Sequence, residues 1–233
     1  MQAKIFHQTS WARSFRGTPI ELYQKKHIRD GKATAPILFV GGVHGDEPEG
    51  VRLAHEFLNW LTEVENTSAD KILHSWLLIP CINVDGYLGH RRTNHNGVDL
   101  NRNFPSKDWS AEAKASRYSP GPGPGSEAET RAIVELITIE KPKLIVHFHS
   151  WEPCVVYTGA PGKVASEILT GDTGYPVRED IGYPTPGSLG QYGWLEHRVP
   201  VICIEEQEHI RLDEVWKHFE PGLSRLMTTD FEL

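Results

Sequence analysis

Four short apolar runs, set apart by stretches with helical periodicity, constrain this chain more than anything else in it. Ile37-Leu38-Phe39-Val40-Gly41-Gly42, Leu77 to Ile82, Leu144-Ile145-Val146 and Val201-Ile202-Cys203-Ile204 are continuously apolar rather than alternating. That is the pattern of strands covered on both faces. The runs predict strands over 36–42, 75–82, 143–149 and 200–205, with a shorter one over 153–157. Between them, Val51, Leu53, Ala54, Phe57, Leu58 and Leu61 recur at helical spacing and predict a helix over 48–62, with Pro48 suited to its first turn. Further helices are expected over 163–169, over 188–197 after the turn Pro184 to Gly187, and over 211–227, where Leu212, Val215, Trp216, Phe219, Leu223 and Leu226 fall on one side. Strand-helix alternation of this kind implies a single-domain α/β fold, a mixed, mostly parallel sheet with helices on both faces. One domain over residues 1–233 is the expectation, since neither a repeat nor a linker interrupts the pattern.

Residues 83–125 break the alternation. They are rich in Asn, Gly and Pro and end in Pro120-Gly121-Pro122-Gly123-Pro124-Gly125, which cannot be regular structure. A segment of this length inside a compact domain is usually functional. Ser126-Glu127-Ala128-Glu129 then reads as a capping box opening a helix that Lys141-Pro142 stops near Glu140.

Composition narrows the classes. The formal charge of −7 argues against a nucleic-acid surface. Three scattered cysteines are no disulfide framework, and Cys81 and Cys203, inside apolar runs, are expected to be small buried hydrophobes. Met1 to Ser14 is polar and lacks the apolar core of a signal peptide, and no stretch is long enough to span a membrane. The cytoplasm is the expected compartment.

The chemistry gathers at strand ends. His44-Gly45-Asp46-Glu47 follows the first apolar run, placing an imidazole and a carboxylate three residues apart where the chain leaves a strand, the customary ligand position in open α/β sheets. His149 ends the third run. Two His and one Glu leave the fourth zinc position open, as catalytic rather than structural zinc requires. In His147-Phe148-His149 the two imidazoles share a face. His149 is better placed for a cleft, and His147 is expected one layer down, buried and hydrogen-bonded. Asn101-Arg102, with Arg92 upstream, suits a carboxylate, because guanidinium offers a planar charged fork. Glu205, at the end of the last run, is placed to be a general base for a metal-activated water, while Glu206 reads as a solvated strand end.

Taken in order, Asn83-Val84-Asp85-Gly86, then Arg92 nine residues before Asn101, then Asp99-Leu100-Asn101-Arg102-Asn103-Phe104-Pro105 closely resemble the zinc carboxypeptidase family. The resemblance runs from about Gly17 to Glu205. It implies His44, Glu47 and His149 as ligands of one zinc ion per chain, and Glu205 as the catalytic glutamate. It further implies Arg92 as the group stabilising the oxyanion, and Asn101 with Arg102 as the holders of the substrate's terminal carboxylate. Tyr183, 22 residues before Glu205, matches the tyrosine that caps the bound side chain. Gly190 and Cys203 fall at positions lining the pocket for the leaving residue, and an uncharged Gly190 does not suit a pocket built for basic residues.

Within the family, the compact length and Ile181-Gly182-Tyr183-Pro184-Thr185-Pro186-Gly187-Ser188-Leu189-Gly190 are most like members that cut the γ-D-glutamyl-meso-diaminopimelate bond during cell-wall recycling. A peptide or muropeptide with a free carboxylate is then the implied partner. Ser150-Trp151-Glu152-Pro153-Cys154 and Glu206-Gln207-Glu208 depart from that pattern where the pocket is shaped. Three other functions are open to such a chain: a general C-terminal peptidase, a zinc N-acyl-amino-acid amidohydrolase and a catalytically silent binding domain.

Overall fold

The structure, a computed structural model, describes residues 5–233. In chain order its elements are β1 (Phe6–Arg13), β2 (Pro19–Lys25), β3 (Ile28–Arg29), β4 (Lys32–Ala33), β5 (Ile37–Val40), α1 (Pro48–Thr67), β6 (Trp76–Ile79), α2 (Val84–Leu88), α3 (Ala128–Glu140), β7 (Leu144–Trp151), β8 (Cys154–Thr158), α4 (Gly162–Thr170), β9 (Val177–Arg178), α5 (Leu189–His197), β10 (Val201–Gln207) and α6 (Val215–Thr228). Short 3₁₀ turns add Leu100–Arg102 and Ser116–Tyr118 within the long irregular segment.

Eight strands form one sheet in the order β1-β2-β6-β5-β7-β10-β8-β9, and β3 and β4 form a separate ribbon. The four apolar runs make its centre: β6, β5, β7 and β10 pair in parallel throughout. Successive side chains of a strand point to opposite faces, so each central strand feeds two cores. Ile37 and Phe39 pack with Phe57, Leu169 and Phe219 on the side of α1, α4 and α6. Leu38 and Val40 pack with Ile133, Ile137 and Leu189 on the side of α3 and α5. The α/β expectation of a mostly parallel sheet between two helical layers holds.

The corrections lie at the margins. The sequence pattern predicts nothing before residue 36, yet β1 and β2 form an antiparallel edge. In β2 only Ile20 and Leu22 are buried, between more exposed Glu21 and Tyr23, so this strand alternates and carries no apolar run. The predicted capping box does not form. The N-cap of α3 is Glu127 with no side-chain cap bond, because Glu129 is drawn inward to accept from the Phe15 amide at 3.2 Å and Asn94 Nδ2 at 3.4 Å. Ser126 instead donates to Glu127 at 2.7 Å. The last helix starts at Val215 rather than 211, and Leu212 is exposed. There Arg211 grips Asp213 at 2.8 and 3.1 Å in a turn of its own. α1 runs five residues beyond its predicted end.

Candidate active site

Three elements deliver the metal-type ligands to one point. After β5 the chain turns through Gly41 and Gly42, presents His44, and enters α1 directly after Glu47. Gly45 is required by packing: a Cβ there would lie 2.1 Å from the Gly86 carbonyl carbon and 2.2 Å from the Tyr87 amide nitrogen. The turn is therefore pressed against α2. Asn83, the N-cap of α2, holds it there, accepting from the Gly86 amide at 3.0 Å and donating to the Val43 and Arg92 carbonyls at 3.2 and 3.1 Å.

His149 arrives from the end of β7. Its Nδ1 lies 3.0 Å from His44 Nδ1, and each of these atoms lies 2.7 Å from one oxygen of the Glu47 carboxylate. All three side chains are buried. Two imidazole nitrogens and a carboxylate crowding one point form the donor set of a divalent cation. Four-coordinate zinc takes His and carboxylate ligands at about 2.0–2.2 Å, and these atoms need only a few tenths of an ångström of adjustment to receive it. The remaining ring nitrogens are held too: His44 Nε2 contacts Asp99 at 3.0 Å, and His149 Nε2 contacts His147 Nδ1 at 2.8 Å. Such partners fix tautomer and ring orientation in metal sites. His147 is thus buried behind His149, as its place on the strand predicts.

The electrostatics follow from burial among these groups. Burial opposes ionisation of Glu47, but the His44 and His149 imidazoles outweigh it and hold the carboxyl well below its usual range. Asp99 is likewise opposed by burial and depressed by His44 and Arg92. Glu205 has weaker support: the Cys203 thiol, His44 and Arg92 lower it, but not enough to offset burial. Burial, reinforced by the nearby Glu47 charge, pushes it up to about 8. It lies in the same cleft, with the Cys203 thiol donating to its Oε1 at 3.2 Å.

Asp99 is the residue whose role the sequence did not reveal. Fully buried, it accepts from Arg92 Nε at 2.9 Å, from the Asn101 amide at 2.9 Å, and faces His44. It thereby ties the ligand loop to the arginine and to the 3₁₀ turn carrying Asn101 and Arg102. No local pattern marks it; only its place between Arg92 and Asn101 does.

Arg92 also reaches Glu47 Oε1 at 3.3 Å through Nη1, and among the described residues its Nη2 has no hydrogen-bond partner. Asn101 Oδ1 accepts from the Leu189 amide at 2.9 Å, and among the described residues its Nδ2 has no hydrogen-bond partner. Arg102 is buried except for its edge and donates to the Asn101 carbonyl at 2.6 Å. Tyr183 is 38% exposed at the mouth, its ring edge-on to Trp151 at 6.2 Å. Gly190, in the first turn of α5, is closed down by Thr158, whose Oγ1 would stand 2.9 Å from a Cβ there. All of these line one cavity of about 240 Å³ together with His44, Glu47, His149 and Glu205.

Glu206 corrects the expectation of a solvated strand end. It is fully buried, accepting from the Gln207 amide at 2.7 Å, from Tyr175 Oη, and pairing with His218 Nδ1 at 2.8 Å. Tyr175 and His218 come from segments outside the strand, so the strand's own sequence could not announce them. Asp46 faces Arg117 at 3.6 Å.

A half-open cleft at the carboxyl ends of parallel strands, with two imidazoles, a carboxylate, a separate buried glutamate and three arginines, defines a metallohydrolase of substrates bearing a carboxylate. The family model for zinc carboxypeptidases (peptidase M14) matches residues 1–170, and the chain belongs to that family. More particularly, it is 28% identical over 215 residues to murein peptide amidase A of Vibrio campbellii, spanning 87% of this chain and 80% of that protein. It is 32% identical over 166 residues to murein peptide amidase A of Escherichia coli K12, spanning 66% and 64%. The crystal structure of a murein-tripeptide amidase from E. coli O157 superposes with a TM-score of 0.77 at 26% identity, over 100% of this chain and 95% of the other. Bovine thrombin-activatable fibrinolysis inhibitor, at 17% identity and a TM-score of 0.79, shares the fold. Glu205 lies beyond the residues the family model matches, and the structural likeness is what extends over it.

Proposed function

We propose that this protein hydrolyses the amide bond between γ-D-glutamate and meso-diaminopimelate in murein peptides, as a zinc-dependent amidase of cell-wall recycling in the cytoplasm, with one catalytic domain and one zinc per chain. The observation that carries the reading is the convergence of His44, Glu47 and His149 beside an isolated, buried Glu205 and a carboxylate-type clamp. The names of the relatives support the substrate class. Among the described residues no helix is long and apolar enough to cross a membrane.

His44, Glu47 and His149 would hold the zinc, which when bound would supply a Lewis acid and a water with its pKa brought toward about 7. Asn101 Nδ2 and Arg102 receive the carboxylate of the diaminopimelate centre next to the cut and so fix which amide is presented. Arg92, steadied by Asp99, turns its free Nη2 toward the oxyanion that develops on the scissile carbonyl; a donor placed this way is worth about 3 kcal/mol. Glu205 takes a proton from the attacking water and returns it to the departing amine. Burial suits it to the second half, because a carboxyl raised toward neutrality holds a proton well enough to deliver it, while the positive charge of a bound metal would favour the ionised form that the first half needs. Tyr183 covers the bound residue. Gly190, Cys203 and Thr158 line the space for its side chain with no fixed charge.

Incubation with L-alanyl-γ-D-glutamyl-meso-diaminopimelate beside a panel of ordinary C-terminal peptides tests the reading. Release of diaminopimelate, with little hydrolysis of the panel and about one zinc per chain by elemental assay, is expected. Preferential cleavage of the ordinary peptides would reassign the protein as a general carboxypeptidase. A chain that holds no zinc and turns over neither would refute hydrolysis altogether.

A further inference from the structure

A γ-linked glutamyl donor has a chemical peculiarity. Its scissile carbonyl comes from the side-chain carboxyl, so the α-carboxyl remains as a free anion on the acyl side of the cut. The amine side carries its own carboxylate, which Asn101 and Arg102 are placed to hold. A cleft fitted to such a compound needs a second cation on the acyl side of the metal ligands.

Three guanidinium groups surround the ring of Tyr118: Arg92 at 5.1 Å, Arg117 at 5.4 Å and Arg102 at 5.9 Å from its centroid. Arg92 is tied to Asp99 and Glu47, and Arg102 is tied to the Asn101 carbonyl. Arg117 is different. It lines the same cleft with a side chain 57% exposed. Its ion-pair partner among the described residues is Asp46 Oδ2 at 3.6 Å, too long for a hydrogen bond. The planar fork is left free to take a carboxylate with two parallel bonds. Asp46 lies between the ligands His44 and Glu47 in sequence, so Arg117 reaches toward the ligand loop. Arg102, by contrast, lies against Asn101, whose Oδ1 meets the Leu189 amide at the start of α5. Asp46 Oδ1 is buried without a hydrogen-bond partner while Oδ2 faces the guanidinium, which draws Arg117 toward the ligand loop without saturating it. Two other charges lie close: Glu208 lines the cleft, and Lys114 sits 5.8 Å from the Tyr183 ring beside an adjoining cavity.

We propose that Arg117 reads the free α-carboxylate on the acyl side of the scissile amide. The inference rests on the γ-glutamyl reading and deepens it: the cleft recognises two carboxylates, one on each side of the bond it cuts.

The test compares kcat/KM for three tripeptides, L-alanyl-γ-D-glutamyl-meso-diaminopimelate, its α-carboxamide (the D-isoglutaminyl compound) and the 4-aminobutyryl analogue that lacks the substituent. The wild-type enzyme is expected to favour the carboxylate over the carboxamide about tenfold, the scale of one charge-assisted contact. Arg117→Gln should bring that ratio to within about twofold of unity, and Arg117→Lys, which keeps charge but loses the fork, should fall between. Lys114→Gln should keep the wild-type ratio, separating a contact from a general positive field. A wild-type ratio near unity, or an undiminished ratio in Arg117→Gln, overturns the assignment of Arg117 while leaving the γ-glutamyl reading intact. If the wild type cuts ordinary peptides and none of the γ-linked compounds, the substrate reading fails first and the role of Arg117 falls with it.

Discussion

Replacing Asp99 by Asn is the most searching single perturbation of this site, because it changes one buried atom and almost no volume. In the wild type both carboxylate oxygens are engaged by donors: Oδ1 by His44 Nε2 at 3.0 Å and the Asn101 amide at 2.9 Å, Oδ2 by Arg92 Nε at 2.9 Å. An amide has one acceptor oxygen. Whichever way it is turned, its NH₂ confronts either the imidazole N–H or the guanidinium N–H, and a donor faces a donor at hydrogen-bond distance. A charge-assisted hydrogen bond is worth about 1.5–3 kcal/mol, so the substitution removes about that much from the positioning of His44 or of Arg92. The charge also disappears, and with it the bias that keeps the proton of His44 on Nε2 and frees Nδ1 for metal. Removing such a partner costs about 10–100-fold in metal affinity or activity. Two assays separate the outcomes. Competition with a chromophoric chelator gives zinc affinity, and kcat/KM at saturating zinc reads the loss through Arg92. We expect at least one of the two to fall by about tenfold or more while the thermal transition stays cooperative. A variant within about threefold of wild type in both would show that Asp99 is a structural acid with no hold on the ligands or on Arg92.

Three further outcomes follow from the same geometry. Glu205→Gln should retain zinc and lose about 10²–10⁴ in turnover; full activity would remove Glu205 from the proton path, and loss of zinc would make it a ligand instead. Arg102→Ala should raise KM by about 10–100-fold, the worth of charge-assisted bonds to a carboxylate, and an unchanged KM would place the carboxylate elsewhere. Away from the site, burial and then the neighbouring Lys143 push His74 down to about 4, although its Nε2 contacts the Thr229 carbonyl at 2.8 Å. Its neutral form is favoured by folding, so its contribution is whole above the unfolded value of about 6.5 and is lost as pH falls to about 4, a decline of up to about 3 kcal/mol. Chemical denaturation at pH 7, 5.5 and 4.5 should show that slope flattened in His74→Gln relative to wild type; parallel slopes would refute it. The difference between the two proteins matters here, because Glu205, raised rather than lowered, pulls the other way over part of the same range in both.

Some of this molecule is written locally and some is not. The four central strands are legible because burial on both faces forces continuous apolar residues, and His149 is legible because it ends such a run. The edge strands β1 and β2 are not, since an edge with one wet face needs only Ile20 and Leu22. The long segment 83–125 reads as structureless because Pro and Gly exclude helix and sheet. What orders it is side-chain amides at a distance. Asn103 donates to the Pro120 and Gly123 carbonyls at 2.8 and 3.1 Å and accepts from the Glu127 amide at 3.1 Å. Asn94 donates to Glu127 at 2.7 Å. Contacts between residues far apart in sequence leave no periodic trace, which is why the roles of Asp99 and Glu206 are also invisible in the linear pattern.

The neighbouring acids at the end of β10 show how register turns sequence into function. β10 runs parallel to β7 with Cys203 opposite His147, Glu205 opposite His149 and Glu206 opposite Ser150. Directly paired residues project to the same face, and strand axes lie about 4.8 Å apart. One parity of the two strands therefore places Cys203, Glu205, His147 and His149 together on the cleft side. The other parity sends Glu206 toward Tyr175 and His218, and Ser150 toward Glu49, to which it donates at 2.7 Å. Two glutamates adjacent in sequence thus occupy opposite faces, one raised toward neutrality beside the ligands and the other locked into hydrogen bonds under α6. A slip of one residue would exchange them, putting Glu206 among the ligands and stranding Glu205 without partners against the apolar layer. The continuous run Val201-Ile202-Cys203-Ile204 does not resist such a slip by its own pattern, because it is apolar at both parities. The hydrogen bonds of Glu206 and Ser150 do, since only one register satisfies them. The buried acid that takes no part in the chemistry is what fixes where the reactive one stands.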